Sequence, residues 1–170
     1  MTEQQRRTEV RQRYDARCGY CSVREAEAGS ELEIDHFKPR TAGGGDDADN
    51  LVYCCPTCNR LKGDYWPGTD SLTITRRLLH PARDDLGLHL REDADGRVIA
   101  LTDTGAFHVS RLRLNRPPLL ALRQARRDVV LLRESLEAAQ AQQARLRERI
   151  ATLELDVQDV LTQLARLLEP

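Results

Sequence analysis

The sequence predicts an α+β fold made of a small N-terminal module, a short α+β extension and one long C-terminal helix. Two C-x-x-C pairs, 33 residues apart, bracket the module. Between them, a run of alternating apolar and polar residues and a second extended run flank a loop rich in Gly and Asp, as two strands would. From residue 119 to residue 169 the chain has neither Gly nor Pro and repeats apolar residues every seven positions, which predicts a continuous helix.

Size and composition limit what the chain can be. Its 170 residues have room for one ordinary domain, or for a small domain with an extension. Charged residues make up 31% and aromatic residues 4%, which suits a small core beside an exposed helix. The formal net charge is −1 and no segment is strongly basic, which argues against a protein that coats nucleic acid through a positive face. Binding to nucleic acid would therefore depend on local clusters and bound metal.

The N-terminal segment and the cysteines predict the compartment. The first residues are charged and lack an apolar core, and no stretch approaches the roughly 18 apolar residues of a membrane span. We therefore expect a soluble, cytoplasmic protein with no membrane partner. All five cysteines lie within the first 58 residues. In a reducing compartment, paired C-x-x-C spacings favour a metal site over disulfides.

The module is expected to begin with a helix and a strand. Residues 2–17 suit an Arg-rich helix that runs into the first cysteine pair, where Gly19 can supply a turn. Residues 32–37 alternate apolar and polar side chains as a half-buried strand does, and Pro39 stops that pattern. The polar pair Asp35 and His36 therefore lies at a strand end.

A second strand and helix should complete the module. Residues 41–49 form a Gly/Asp loop, after which residues 50–53 resume an extended run into the second cysteine pair. A short helix is expected to start near Cys58 and to end at Gly63.

The extension carries weaker signals. Residues 71–80 suit a short helix, and the turn at 93–96 suits a hairpin that joins residues 88–91 to 98–101. The expected boundaries are residues 1–66 for the module, 67–118 for the extension and 119–170 for the long helix.

The long helix carries an unbroken heptad seam. Its a positions are Leu122, Val129, Leu136, Gln143, Ile150, Val157 and Leu164. Its d positions are Ala125, Leu132, Ala139, Leu146, Leu153, Val160 and Leu167. Seven heptads at about 1.5 Å rise per residue give a helix of roughly 70 Å, too long to be buried against so small a body. The seam therefore predicts a partner helix.

A parallel homodimer is the favoured pairing. Across the g–e′ positions Asp128 would face Arg133 and Arg149 would face Glu154, and Gln143 is a lone polar a position of the kind that fixes register. The e positions near the end are also apolar, which would suit a higher oligomer or a helix of another protein. A helix folded back on its own domain is the remaining alternative.

The two cysteine pairs predict a tetrahedral thiolate site for Zn²⁺. Its ligands would be Cys18, Cys21, Cys55 and Cys58. Four thiolates leave no open coordination position, so the zinc would be structural and would stabilise a module with a small core. The neighbouring Cys54 allows an alternative register with Cys58, but the spacing favours Cys55 and leaves Cys54 as a packed free thiol.

Three further motifs lie between and around the cysteine pairs: Ile34-Asp35-His36, Asn50-Leu51 and Cys58-Asn59-Arg60-Leu61-Lys62-Gly63-Asp64. In this order they resemble the HNH endonucleases of the ββα-metal superfamily, in particular those whose motif is bracketed by two C-x-x-C pairs. The resemblance covers roughly residues 14–65 and implies a nuclease module that hydrolyses DNA. Its third position is Asn59 instead of His, a variant also found in that family.

Each motif residue suits a step of phosphodiester hydrolysis, which needs a base for water, a cation for the developing charge and an element that orients the base. His36 is the natural base, because histidine changes its charge near neutral pH. The resemblance implies that Asp35 and Asn59 hold one divalent ion and that Asn50 orients the imidazole of His36 by hydrogen bonding. Oxygen donors favour Mg²⁺ or Mn²⁺ over softer metals.

Basic and aromatic residues around the motif allow more than one interpretation. Arg60 and Lys62 are expected to contact phosphate from the predicted helix. Tyr65 and Trp66 could stack on a nucleotide or cover the zinc lobe. Further arginines could follow a DNA backbone or simply face solvent; they are Arg76, Arg77, Arg111, Arg113 and Arg116. The histidines outside the motif have no ligand spacing and are expected to be structural; they are His80, His89 and His108.

Two hypotheses about function follow. The first is a metal-dependent DNA endonuclease, and the alternative is a non-catalytic, zinc-stabilised adaptor that binds nucleic acid or protein. A looser resemblance runs from His80-Pro81 through the predicted hairpin to Leu112–Arg116 before the long helix. It is to short HNH proteins encoded beside ATPases in bacterial anti-phage systems such as Septu. That resemblance implies an effector role and a partner ATPase.

Overall fold

In the computed structural model, which describes residues 2–67 and 75–168, the chain is α+β, as predicted. It divides into two compact units, residues 1–124 and 125–170. The first unit contains the sheets, the core and all five cysteines.

The N-terminal helix α1 spans Glu3–Arg13 and begins with a capping box formed by Thr2 and Gln5. The Thr2 hydroxyl accepts a hydrogen bond from the amide of Gln5, and the Gln5 side chain accepts one from the amide of Thr2. The sequence predicted a helix over residues 2–17, but α1 ends at Arg13. Asp15 and Ala16 both have φ of 50°, a left-handed conformation that turns the chain toward the first cysteine pair.

Two antiparallel strands and a helix follow, as the sequence predicts. Strand β1 (Glu33–His36) pairs with β2 (Leu51–Cys54), so that Glu33 lies opposite Cys54 and His36 opposite Leu51. Helix α3 (Pro56–Lys62) starts with Pro in its first turn and ends at Gly63, whose φ is +54°. The one-turn helix α2 (Glu25–Ala28) precedes β1, and short 3₁₀ turns at Arg40–Ala42 and Ala48–Asn50 lie in the loop between the strands.

The extension contains the predicted hairpin between two helices that the sequence did not predict. Helix α4 (Leu86–His89) leads into β3 (Leu90–Glu92), which pairs antiparallel with β4 (Val98–Ala100), and α5 spans Asp103–Arg111. Of the helix predicted over 71–80, residues 71–74 lie outside the described residues, and residues 75–80 form a turn and loop.

The module and the extension share one hydrophobic core in the first unit. Its buried members from the module and the extension pack together; they include Val10, Leu32, Val52, Tyr53, Leu78, Leu112, Leu114 and Leu119. The start of the long helix joins this body, because the buried guanidinium of Arg123 donates to the carbonyl oxygens of Gly96 and Leu114 at 3.0 and 2.9 Å. The extension therefore supports the module directly.

Helix α6 runs from Pro117 to Leu168 without interruption, a length of 52 residues. Its residues from 128 to 167 are all solvent-exposed, including the apolar seam positions Leu136, Ile150 and Leu153. Over the ranges that the structure covers, none of the helices combines the length and apolar character needed to cross a membrane.

Candidate functional site

The four cysteines of the two C-x-x-C pairs form one buried cluster. Their sulfur atoms all lie within 4.8 Å of one another; the residues are Cys18, Cys21, Cys55 and Cys58. Four sulfurs at about 2.3 Å from one tetrahedral ion would lie about 3.8 Å apart. The sulfurs of Cys21 and Cys55 are 3.7 Å apart, close to that spacing and far beyond a disulfide bond. The donor set therefore fits a zinc ion.

Local structure brings each pair into place. In the first pair, the amide of Gly19 donates to the carbonyl of Tyr53 at 2.8 Å, which docks the turn on β2. A Cβ at Gly19 would lie 2.7 Å from the Tyr14 ring, so a larger residue here would have to displace that ring. In the second pair, Cys55 caps α3, and its sulfur accepts from the amide of Cys58 at 3.4 Å.

The fifth cysteine stays outside the cluster. Cys54 is fully buried, but the four clustered sulfurs include that of Cys55 and not its own. Burial raises the pKa of the Cys54 thiol, which keeps it protonated. The cluster thus uses the register with Cys55, which the spacing favoured.

Arg116 lies against the cluster, just before α6 begins. Its guanidinium is 3.6 Å from the sulfur of Cys58 and 3.9 Å from those of Cys21 and Cys55. A zinc ion with four thiolates carries a net negative charge, and a cation at this distance would partly neutralise it. From the sequence, Arg116 was expected to contact DNA or to face solvent, and its place beside the cysteines was not predicted.

His36 stands at the end of β1, half-buried, with its ring held by an acidic side chain. Its Nε2 is 2.7 Å from a carboxylate oxygen of Asp46, which also bonds to Arg40 at 2.5 Å and Arg6 at 3.0 Å. These cations and the histidine lower the pKa of Asp46, with the hydrogen bond to His36 the largest cause. The same Nε2 also lies 3.3 Å from Arg40 Nε, which can only donate. The much shorter contact to the Asp46 carboxylate, which can only accept, favours the tautomer with the hydrogen on Nε2 and the free nitrogen at Nδ1.

Asp35 points to the opposite face of β1, toward α3, because successive side chains of a strand alternate. It is only 7% exposed. One carboxylate oxygen accepts from the Lys62 ammonium at 3.0 Å, and the other accepts from the Tyr20 hydroxyl at 2.6 Å. Burial raises the pKa of Asp35, against the opposing effects of Lys62 and Tyr20. Both oxygens are thus held in fixed directions.

Lys62 is buried, contrary to what a phosphate contact would require. It is 1% exposed, and its ammonium donates to Asp35, to the carbonyl of His36 at 2.7 Å and to that of Gly63 at 3.3 Å. These three oxygens take up the hydrogen-bonding capacity of an ammonium group. Its position suits holding the end of β1, whereas Arg60 is exposed on the same helix.

Asn59 completes the polar group on this face. Its amide nitrogen donates to a carboxylate oxygen of Glu33 at 2.7 Å, which orients the amide and its oxygen. Asp35, His36 and Asn59 line a shared cavity of about 240 Å³, together with Lys62 and Asp64. Carboxylate and amide oxygens are donors that Mg²⁺ and Mn²⁺ prefer, so this donor set fits a hard divalent ion.

Asn50 braces the loop that follows His36. Its side chain accepts from the amide of Lys38 at 2.8 Å and donates to the carbonyls of Lys38 and Gly45, at 3.1 and 2.8 Å. Its backbone carbonyl accepts from Phe37 at 2.8 Å. Asn50 therefore fixes the chain next to His36, but its side chain bonds to backbone atoms of that loop and not to the imidazole, as the resemblance had implied; Asp46 holds the ring instead.

Sequence reasoning missed three residues of this site, namely Tyr20, Glu33 and Asp46. Tyr20 lies inside the first C-x-x-C pair, and Glu33 lies two positions before Asp35 on the same face of β1, a spacing that could have indicated it. Asp46 is one of three acidic residues in the Gly/Asp loop, and no sequence signal distinguishes it from the others.

Comparison of the sequence with known protein families agrees with this arrangement. The family model described as HNH endonuclease matches residues 18–65, from the first clustered cysteine to just beyond α3. Residues 18–65 are therefore an HNH endonuclease domain, a class of nuclease that binds metal and acts on nucleic acid. No curated protein and no solved structure matches the chain.

Proposed function

We propose that the protein is a metal-dependent DNA endonuclease in which His36 is the general base. The observation that carries the proposal is the common cavity at the end of β1, lined by Asp35, His36 and Asn59. A histidine with one basic nitrogen and two oxygen donors beside it are the groups that hydrolysis of a phosphodiester requires.

In this mechanism Nδ1 of His36 takes the proton of the attacking water. Asp46 holds Nε2 and stabilises the imidazolium that forms, because its carboxylate is 2.7 Å away. The oxygens of Asp35 and Asn59 would bind Mg²⁺ or Mn²⁺, which supplies positive charge for the scissile phosphate and the leaving 3′ oxygen.

The remaining residues position these groups. Asn50 is a positioning residue that keeps the loop after β1 in place, and so acts on His36 through the backbone. Lys62 holds Asp35 and the carbonyl of His36, so we assign it this role in place of a phosphate contact. The exposed Arg60 is the residue of α3 that we expect to contact phosphate.

The cysteine cluster would hold a structural zinc ion. Four thiolates complete a tetrahedral shell, so the ion would stabilise the turn before β1 and the start of α3 without taking part in hydrolysis. We assign residues 1–66 to the nuclease module and 67–118 to an extension that shares its core.

Cleavage of supercoiled plasmid tests the proposed reaction. Wild-type protein with Mg²⁺ or Mn²⁺ should cut the plasmid, and His36→Ala should lose about 10²- to 10⁴-fold in rate. His89→Ala is the matched control, because His89 belongs to the short helix α4 and bonds to Thr102. Equal rates for wild type and His36→Ala would contradict the assignment of the base, and an inactive wild type would favour the non-catalytic adaptor.

We also propose that residues 119–170 pair with the same helix of a second copy. The exposed seam of α6 and the complementary charges at its g and e positions support a parallel pair. Two nuclease sites in one assembly could cut both strands of a duplex.

Light scattering of the full chain tests this pairing. The wild type should have at least twice the monomer mass, and Ile150→Asp, at an a position, should reduce it. Leu155→Asp is the control, since Leu155 is 72% exposed but lies outside the seam. A wild type that is monomeric at micromolar concentration would assign the seam to another protein, such as the ATPase partner of an anti-phage system.

A further inference from the structure

A second, larger cavity lies beside the candidate active site. Its volume is about 510 Å³, within the range of sites that bind small organic groups. One wall is the loop after β1, and the opposite wall is the segment around Trp66 together with residues 77–84. The proposed mechanism uses none of the aromatic or basic side chains of these walls.

An aromatic platform forms part of this cavity. Trp66 is 39% exposed. Its ring packs edge-to-face on the ring of Phe37, with the centroids 6.1 Å apart and the ring planes at 88°. Phe37 in turn packs on His80, with a centroid distance of 4.4 Å. Burial lowers the pKa of His80, so its ring is neutral at physiological pH. Trp66 is therefore an exposed aromatic ring on a fixed support, which suits stacking of a flat ligand.

Basic side chains stand at the same cavity. The Lys38 ammonium lies 5.7 Å from the centroid of the Trp66 ring, and the guanidinium of Arg83 donates to the carbonyl of Asp49 at 3.0 Å. The Arg83 side chain is 60% exposed. The half-buried Lys38 beside the ring and the exposed Arg83 at the same cavity thus join an aromatic ring and cations, the combination that binds a nucleotide through its base and its phosphate.

Three glycines form part of the cavity wall that the loop after β1 provides. Gly43, Gly44 and Gly45 all line the cavity. A Cβ at Gly44 would lie 1.8 Å from the carbonyl oxygen of Lys38, so the loop can take this path only with glycine there. The glycine part of this wall is therefore backbone alone, whereas Phe37, Lys38, Asp47 and Asn50 line other parts of the cavity. The glycines leave room for a planar base beside them.

The cavity and the candidate active site share one loop. Phe37 and Lys38 directly follow His36, and Asp46, which bonds to His36, follows the glycines of the cavity wall. A nucleotide in this cavity would thus belong to the strand that passes the end of β1.

We propose that this cavity binds an unpaired base of the nucleic-acid strand being cut, stacked on Trp66, with its phosphates near Lys38 and Arg83. This inference rests on the proposed nuclease function and gives it a substrate class: DNA with an unpaired nucleotide next to the cleavage position. Extrusion of one base from a duplex, or a single-stranded segment, would supply it.

Trp66 provides a direct readout, because it is the only tryptophan of the chain. Full-length His36→Ala protein with bound zinc, and without added Mg²⁺ or Mn²⁺, is titrated with a single-stranded DNA of about 12 nucleotides. The same strand in a perfect duplex and the same strand with abasic positions are the comparison probes. The single strand should quench Trp66 fluorescence saturably, and the abasic strand should bind about 5- to 150-fold more weakly.

Two variants separate stacking from folding. Trp66→Ala should weaken binding of a dye-labelled single strand by a similar factor in fluorescence anisotropy, and Trp66→Phe should keep most of the affinity because phenylalanine still stacks. Zinc content and thermal unfolding check that both variants are folded. Equal binding of the intact and abasic strands, or wild-type affinity in Trp66→Ala, would overturn the inference.

The plasmid assay keeps this inference distinguishable from the proposed function. Cleavage that depends on His36, without base-dependent quenching, would remove the stacking site and leave the nuclease. Base-dependent quenching without any cleavage would leave the cavity as the binding site of an adaptor and contradict the nuclease.

Discussion

The cysteine cluster and the candidate active site of the HNH domain both include residues of α3 but are held in different ways. The cysteine cluster uses one kind of atom, sulfur, from two short turns, and all four residues are buried. The candidate active site uses side chains of mixed charge that line a small cavity at the end of β1. The hydrogen-bonding partners of Asp35 and His36 come from separate segments: Tyr20 lies before β1, Asp46 in the loop after it and Lys62 in α3.

Under the proposed function, this difference separates the residues that stabilise the domain from the residues that react. A closed thiolate cluster can fix the strands and α3 without being accessible to substrate. The polar groups depend on that frame, since each is held by hydrogen bonds to neighbours that folding brings together. Damage to the first cluster should therefore act on folding, and damage to the second should act mainly on chemistry or on local stability.

The largest effect is expected at the cysteine cluster. Cys58→Ser should lose zinc and cooperative folding, because structural zinc sites contribute about 10–16 kcal/mol of apparent binding free energy. Cys54→Ser is the matched control, with an expected cost of about 1–3 kcal/mol for a buried hydroxyl. Thermal unfolding and zinc analysis of both proteins measure this. Equal losses in the two variants would show that the cluster is not the stabilising element.

The next effect is expected at the buried ion pair. Lys62→Met should cost about 3–5 kcal/mol in the free energy of unfolding, because it leaves the Asp35 carboxylate buried without its cation. Adding Asp35→Asn should recover part of that loss, although it removes a proposed metal ligand. Denaturant unfolding of the single and double variants tests the coupling, and purely additive losses would contradict it.

A buried histidine outside both clusters should make the first unit sensitive to acid. Burial lowers the pKa of His108 to about 4, and its Nδ1 accepts from the amide of Leu79 at 3.0 Å. The unfolded chain takes up this proton at higher pH, near 6.5, than the folded chain does. The stability that depends on neutral His108 is therefore complete above pH 6.5 and falls by about 3 kcal/mol as pH drops to 4.

His108→Asn isolates that contribution, since an amide oxygen can replace Nδ1 as acceptor but does not titrate. The free energy of unfolding is measured between pH 7 and pH 4 for both proteins, so that acid effects on the cysteines cancel. The variant should lose less stability than the wild type over this range. Identical pH profiles would show that His108 is not protonated on unfolding.

The smallest effect is expected at Arg116. Arg116→Gln removes the cation next to three cysteine sulfurs and should weaken zinc binding by about 10- to 100-fold in competition with a colorimetric chelator. Arg113→Gln is the control, because Arg113 is exposed on the same connection. If both variants release zinc like the wild type, Arg116 has no role in holding the ion.

Much of this arrangement could be predicted from local patterns. The C-x-x-C spacing predicted the cysteine cluster, alternation predicted β1, and the heptad repeat predicted that α6 is one helix. Each of these signals is local, because it depends on residues a few positions apart. The α+β fold is confirmed on these elements.

The rest depends on contacts between distant residues. Lys62 looked like a surface base on α3, and only the packing of α3 on β1 buries it against Asp35. The choice of Asp46 over its acidic neighbours depends on the path of the Gly-rich loop. The end of α1 depends on positive φ at Asp15 and Ala16, residues that carry no turn signature of Gly or Pro.

The separation of a structural zinc ion from a catalytic divalent ion is the central claim, and activity measured together with metal content tests it most directly. Purified protein is treated with a chelator mild enough to leave tightly bound zinc, and is then assayed on plasmid with and without added Mg²⁺ or Mn²⁺. We predict about one zinc ion per chain throughout, no cleavage after chelation, and cleavage restored by Mg²⁺ or Mn²⁺ in wild type but not in His36→Ala. Cleavage by the chelated protein with zinc alone, or equal cleavage by His36→Ala, would contradict the account.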